Sequence, residues 1–343
     1  MYSIGIDVHY RYSNVCILDA QGQRVNEVRL KTSELVTFLQ QQPEPRQICY
    51  EASLGYGTLY DKLSQVAQRV LVAHPGHLRL IFRSKRKNDR VDARKLALLL
   101  HLGEVPTVYV PSLDYRNWRR LIEMRQRRLT DRTRTKNRLR GLLRGQGVAA
   151  PHRLGLWTKK GLAWLRELTF PAAEAELDRD LLLDDLERQQ ATLQRVERRL
   201  NEIGAKHPGV QLLRTIPGVG PRTAEAVVAY IGDPRRFRRN RCVGSYFGLV
   251  PQQDQSADRN HLGHITREGP ATVRRLLTEA TWQGIRRDRR VRAYFERVQH
   301  GDPGRKKIAL VATAHYLVRC MHAMLRAGEA WRVLKETAAT EAA

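Results

Sequence analysis

Three short runs open the chain. Residues 2–9, 12–19 and 24–31 alternate apolar and polar positions or are rich in β-formers, and AQGQ at 20–23 separates the last two. Period-two patterning bounded by turn residues predicts three antiparallel strands in a meander. Residues 32–42 begin at Thr32-Ser33 and carry Leu35, Phe38 and Leu39 at helical spacing. A strand over 47–51, a helix around 56–68, a strand over 70–74, the basic segment RSKRKN and a helix over 89–103 follow. Three strands and then alternating helix and strand is the order of a ribonuclease-H-like α/β domain.

The period then becomes helical. From Tyr115 to Arg144 a thin apolar stripe (Trp118, Leu121, Ile122, Leu129, Leu139, Leu143) runs through an arginine-rich segment. Over 178–204, Leu182, Leu186, Leu193, Val196, Leu200 and Ile203 recur at alternating three and four, with Gln189 at one seam position. That heptad seam predicts a coiled coil. The pair suits an intramolecular helical hairpin or an oligomerisation arm, and the two are compatible. Between the helices an irregular segment holds Trp157, Trp164, Phe170 and Pro171. From 209, LLRTIPGVGPRTAEAVVAYIG reads as helix, glycine hairpin, helix. Such a hairpin lets backbone N–H groups approach a phosphate, and Pro221 opens the next helix. A structural αα-turn is the alternative. A basic cluster, a small-residue helix or turn, a polar loop over 251–264, a basic helix from near Pro270 and an amphipathic helix from 306 complete the chain, and the terminal ATEAA is expected to be disordered. The reading is thus α/β plus α, in three domains: 1–108, an arm over 109–206, and a mainly helical domain over 207–335.

Composition adds a partner. The 343 residues hold 61 Lys and Arg against 35 Asp and Glu, a formal net charge of +26, which points to nucleic acid. The arm, the 235–241 cluster and the hairpin glycines are the candidate phosphate grips. They comprise Arg119, Arg120, Arg127, Arg128, Arg134, Lys136 and Arg140; Arg235, Arg236, Arg238 and Arg239; Arg267, Arg274 and Arg275; and the backbone at Gly218 and Gly220. The apolar runs read as too short to span a bilayer, and the N-terminus has no signal-peptide profile. Cys16, Cys49, Cys242 and Cys320 have no CxxC spacing, which argues against a disulfide framework or structural zinc and for a cytosolic setting.

Against that basic background four acids stand out. Asp7 lies on the first strand, Glu51 closes the fourth, and Asp89 and Asp92 sit one turn apart in KNDRVDARKLALLL. Carboxylates from two strands and a helix can converge on Mg²⁺, a hard ion that takes oxygen ligands and keeps several waters. Two such ions can clamp the attacking and leaving oxygens of a phosphodiester exchange. Taken singly, Asp89 also suits a helix N-cap.

The GID, YEAS and KNDxxDAxxLA segments, with the later IPGVG, GLVP, LGHITREG and VRRLL, resemble the DEDD-type insertion-sequence transposases. The resemblance covers residues 2–105 and about 209–285. It implies a domain like that of the Holliday-junction resolvase RuvC, followed by a family-specific transposase domain. It further implies site-specific DNA recombination with Mg²⁺ (or Mn²⁺) on Asp7, Glu51, Asp89 and Asp92, and a serine that forms a phosphoserine link to DNA. A bridge RNA pairing with donor and target DNA, a tetramer (a dimer of dimers) assembled through the arm, and action at the prokaryotic nucleoid complete the implied picture. The serine lies in the polar loop after GLVP, where Ser256 is the sole Ser or Thr; Ala257 follows where the family favours glycine. Ser245, on an apolar stretch before GLVP, is expected to pack. Two other readings stand beside this one: a RuvC-like junction endonuclease hydrolysing with water on the four acids alone, and a non-catalytic nucleic-acid-binding scaffold.

Overall fold

The computed structural model describes residues 1–81, 89–256 and 259–332; RSKRKN, Ala257 and ATEAA lie outside them. The chain forms two compact units, Met1–Arg116 and Asn117–Ala343.

The first unit is built on β1 (Tyr2–Val8), β2 (Tyr12–Leu18), β3 (Arg24–Lys31), β4 (Arg46–Glu51) and β5 (Arg69–Ala73), in the order β3-β2-β1-β4-β5. β2 is antiparallel to both neighbours, whereas β1, β4 and β5 are mutually parallel. Strand alternation sorts the side chains into two layers. Ile4, Ile6, Val15, Ile17, Ile48 and Tyr50 bury on one face with Leu35 and Leu39 of α1 (Leu35–Gln40) and Leu63 of α2 (Tyr56–Leu63). Removing each such side chain from water contributes about 1.5–3 kcal/mol. On the opposite face Cys16, Cys49 and Ala73 meet Leu78 of α3 (Pro75–Ile81) and Ala93, Leu96, Ala97 and Leu100 of α4 (Asp89–Leu102). The helix expected over 56–68 ends early, at Leu63.

In the second unit α5 (Leu113–Gly145) and α7 (Ala173–Lys206) run antiparallel: Arg125 pairs with Glu197, Arg132 with Gln190, and Gln189 with Thr135. The seam residues Leu182, Leu186, Leu193, Val196 and Leu200 are buried. The segment between these helices is not wholly irregular. It folds α6 (Lys159–Glu167), started by Thr158, whose hydroxyl accepts from the Gly161 N–H.

Then come α8 (Pro208–Leu213), α9 (Pro221–Ile231), α10 (Arg241–Tyr246), β6 (Pro251–Ser256), β7 (Arg259–Ile265), α11 (Ala271–Arg287), α12 (Arg289–Gln299) and α13 (Lys306–Ala327). Almost every residue of α9 from Thr223 to Ile231 is buried, so it is the central helix of this unit. The expected loop at 251–264 is instead the antiparallel pair β6-β7. Its described side chains are mostly exposed and polar, so no apolar alternation marked it in the sequence. Helix α12 was also unforeseen; Asp288 caps it, accepting from the Arg290 and Val291 N–H groups at 2.9 and 3.0 Å. Contrary to the reading of the apolar runs, Pro303–Ala327 is long and apolar enough to cross a membrane, with a mean hydropathy of 1.4. Half of that window is buried inside the unit, and α13 packs on α8, α10, α11 and α12, the position of a core helix.

Candidate functional site

Asp7 directly follows the buried part of the central strand and is itself half-buried. Ile4 and Ile6 face α1 and α2, so Gly5 and Asp7 face α4. A Cβ at Gly5 would lie 2.2 Å from the Ala93 carbonyl oxygen and 2.3 Å from the Ala97 nitrogen. Glycine therefore lets α4 lie directly on β1 and brings the helix's first turn, which carries Asp89 and Asp92, over the end of the strand.

The result is a small ionic cluster. His9 Nε2 lies 3.0 Å from Asp7 Oδ2 and 3.5 Å from Asp89 Oδ2, and the ligand-capable atoms of these three residues are all within 4.8 Å of one another. Burial raises the Asp7 carboxyl above the ordinary aspartate value; His9 opposes that rise, and the charges of Asp89 and Asp92 add to it. Asp92 also meets Lys95 Nζ at 3.3 Å. Glu51 is the exposed last residue of β4. Since Ile6 pairs with Tyr50, Asp7 and Glu51 are adjacent on neighbouring parallel strands. Cys49 packs against the α4 side, so Glu51, two residues on, faces that side too.

The residues fit a divalent cation. Half-buried Asp7 with two acids close by is a repulsive arrangement that a cation relieves, and the oxygens suit Mg²⁺, with the imidazole nitrogen also acceptable to Mn²⁺. His9 was missed in the sequence. It stands two residues beyond Asp7, just past the end of the strand, where the period-two pattern does not reach.

The serine region lies in the second unit. Ser256 ends β6, its backbone paired with Arg259. Ser245 does not pack as expected: α10 buries Val243 and Gly244 and leaves Ser245 exposed. Arg274 ties the flanking motifs together, donating to the Phe247, Glu268 and Gly269 carbonyls.

The candidate phosphate grips divide. Arg119 is turned inward, donating to the Ala229 and Tyr230 carbonyls at the end of α9 at 2.7 and 2.9 Å and lying over the Tyr230 ring. Arg236 caps the Ile231 and Tyr230 carbonyls between the Phe237 and Tyr246 rings, and Arg275 bonds Glu279 and Gln126. Arg119, Arg236 and Arg274 have internal partners because helix ends and turns expose carbonyls that guanidinium groups satisfy, whereas Arg275 is held by side chains. Arg120, Arg127, Arg128, Arg134, Arg140, Arg235, Arg238, Arg239 and Arg267 are exposed, and Lys136 is partly so. Arg128 and Arg134 each stand 3.7 Å from Asp131. Gly218 has φ +92, and a Cβ there would meet the Gly284 nitrogen of α11 at 2.6 Å, so packing alone demands glycine. A Cβ at Gly220, the residue before α9, would meet nothing within 4 Å.

Two family models match the chain. One for a DEDD-type transposase covers residues 4–146, and one described as the transposase IS116/IS110/IS902 family covers 210–296. A probable family 20 transposase of Pseudomonas aeruginosa is 28% identical over 280 residues, covering 80% of this chain and 81% of its own. The transposase for insertion sequence element IS1328 of Yersinia enterocolitica is 25% identical, covering 87% and 85%. That for IS1111A of Coxiella burnetii is 25% identical, covering 80% and 75%.

Proposed function

The chain belongs to the DEDD-type IS110 family of insertion-sequence transposases, and from that premise we propose that it cuts and rejoins DNA through a phosphoserine intermediate on Ser256. The observation that carries the reading is the cluster of Asp7, His9 and Asp89, with Asp92 and Glu51 beside it, inside the segment that the DEDD-type model matches. The strand order β3-β2-β1-β4-β5 supports a ribonuclease-H-like, RuvC-like domain as its frame.

Asp7, Glu51, Asp89 and Asp92 hold Mg²⁺ (or Mn²⁺). When bound, the ion supplies charge stabilisation at the reacting phosphate and lowers the pKa of an oxygen nucleophile. His9, through Nε2, keeps the Asp7 carboxylate oriented. Ser256 Oγ gives up its proton and forms a bond to phosphorus; one phosphorus–oxygen bond of the DNA breaks, and the departing oxygen takes a proton. Attack by a DNA hydroxyl on the phosphoserine reverses these bonds and restores the serine. The ester conserves the energy of the broken phosphodiester, which attack by water discards. The exposed arginines grip phosphates, a bridge RNA pairs with donor and target DNA, and the protein works as a tetramer, a dimer of dimers joined through the arm.

A denaturing gel of protein incubated with labelled donor DNA and Mg²⁺ tests this. A covalent protein–DNA band is expected, and Ser256→Ala removes it along with recombination. A band that survives Ser256→Ala but vanishes in Ser245→Ala moves the nucleophile to the exposed α10 serine. No band in any protein, with 5′-phosphate products accumulating, replaces the recombinase with the water-using junction nuclease. DNA binding with no cleavage at all leaves only the scaffold.

A further inference from the structure

A cleft of about 400 Å³ opens in the arm between α5, α6 and α7. Its apolar part is Trp157, Leu162, Leu183 and Leu186. Its cations are Arg132, Lys136 and Arg166, against the single carboxylate of Glu187. Glu187 is bonded to Arg166 at 2.9 Å, whereas Arg132 donates to the neutral Gln190 amide oxygen at 2.8 Å. Lys136 Nζ lies 4.8 Å from the centre of the Trp157 ring, with Arg140 Cζ at 5.2 Å. Burial, reinforced by the charges of Arg132 and Arg140, holds the Lys136 ammonium below its ordinary lysine value. Positive charge is thus gathered beside an indole ring with too few carboxylates to balance it.

We propose that this cleft takes one unpaired nucleotide of a single-stranded nucleic-acid segment, its base against Trp157 and the leucines and its phosphate among Arg132, Lys136 and Arg166. The inference rests on the reading of the chain as a nucleic-acid enzyme and adds a strand type and a place. The volume suits one nucleotide, at the small end of ligand sites. An aromatic wall receives the flat face of a base only when that base is unstacked, which a duplex forbids. The Gln190 and Gln194 amides line the same cleft and offer donors and acceptors to a base edge. Arg132, Lys136 and Arg140 follow one another at intervals of four on α5, about 6 Å of rise per step, so cations recur along the path of a bound strand.

The test uses the full chain and fluorescent twelve-nucleotide probes: oligo-U RNA, oligo-dT DNA, and a mixed-sequence DNA duplex. Trp157→Ala is expected to weaken single-strand binding by about 5- to 100-fold, the range for loss of one stacked base. Lys136→Gln weakens it too, Trp157→Phe restores most of it, and Trp157→Ala moves duplex affinity less than two-fold. The RNA and DNA probes identify the source: tighter oligo-U binding points to RNA, equal binding to the shared phosphate and base chemistry. Thermal melting by circular dichroism checks folding, and Lys136→Gln, a change at a partly exposed position, keeps the test valid if Trp157→Ala unfolds the arm. Equal losses for single strand and duplex reduce the site to general electrostatics and overturn the proposal. So do unchanged single-strand affinity in folded variants, or displacement of neither strand but capture of a poly-glutamate peptide dependent on Lys136.

Discussion

Gly5→Ala adds one methyl group at the place where the sheet and the site depend on each other. The added carbon would lie 2.2 Å from the Ala93 carbonyl oxygen, 2.3 Å from the Ala97 nitrogen and 2.9 Å from the Ala97 Cα. All three are backbone atoms, so no side chain can swing aside and α4 must lift as a body. Overpacking a core costs about 1–3 kcal/mol, and contact with rigid backbone places this change at the upper end. A loss of about 3 kcal/mol lowers the melting temperature of a unit this size by roughly 10–15 °C. Lifting α4 also withdraws Asp89 and Asp92 from Asp7, so strand cleavage falls further than stability does. The assay is differential scanning calorimetry of the purified protein with and without Mg²⁺, beside cleavage of labelled donor DNA well below the melting point. A Gly5→Ala protein with wild-type melting and wild-type cleavage refutes the claim that the helix-on-strand contact sets the acidic cluster.

Further outcomes follow from the same geometry. Asp7→Asn removes a carboxylate that burial and its acidic neighbours disfavour, so the metal-free protein melts higher. The stabilisation of about 2.7 kcal/mol that a ligand at 100 times its Kd confers then shrinks below about 1 kcal/mol in an Mg²⁺ titration, and cleavage is lost while DNA binding persists. Arg119→Ala strips two α9 carbonyls of their donors, lowering stability by about 1.5–3 kcal/mol with no change in the salt dependence of duplex binding. Exposed Arg127→Ala leaves stability alone and reduces the log–log salt slope by about 0.9, as filter binding across a salt series reads directly. Gly218→Ala destabilises by about 1–3 kcal/mol through its α11 contact and positive φ, whereas Gly220→Ala stays within about 0.5 kcal/mol, both measured by urea unfolding.

Much of the first unit was legible because its chemistry is periodic. β1, β2, β4 and β5 carry apolar residues to two buried faces, while the edge strand β3 is largely exposed, and the bounds of all five follow the period-two pattern closely. Asp7, Glu51, Asp89 and Asp92 could be picked out because carboxylates are scarce in so basic a chain. His9 was not, because a lone histidine after a strand carries no periodic signal and its value lies in the 3.0 and 3.5 Å contacts that folding creates. The ribbon β6-β7 escaped notice for a related reason. It buries no described face, so Gln252, Gln253 and Gln255 look like loop residues until backbone pairing is seen. Ser245 misled in the opposite sense: its neighbours Val243 and Gly244 are buried, but a helix turns successive residues by about 100°, and Ser245 falls on the outer side.

Charge is where sequence and structure part most instructively. In the sequence every arginine counts equally toward +26. In the fold Arg119, Arg236 and Arg274 close the carbonyl ends of α9 and the turns around Gly269, and Arg275 bridges to Gln126. A guanidinium has five donors and no acceptor, so a protein that needs many phosphate contacts also has at hand the group best suited to satisfying buried carbonyls. Some of the charge that looks like a nucleic-acid footprint is therefore structural. Helix α5, which presents Arg127 and Arg134 to solvent, is held against α9 and α7 by its own Arg119 and Arg125. Arg46 shows the same economy in the first unit: it is buried and donates to the Val66 and Leu39 carbonyls at 2.6 Å each. A salt titration of the whole protein consequently reports fewer ions released than the surplus of 26 suggests, because the inward-facing arginines neutralise no phosphate.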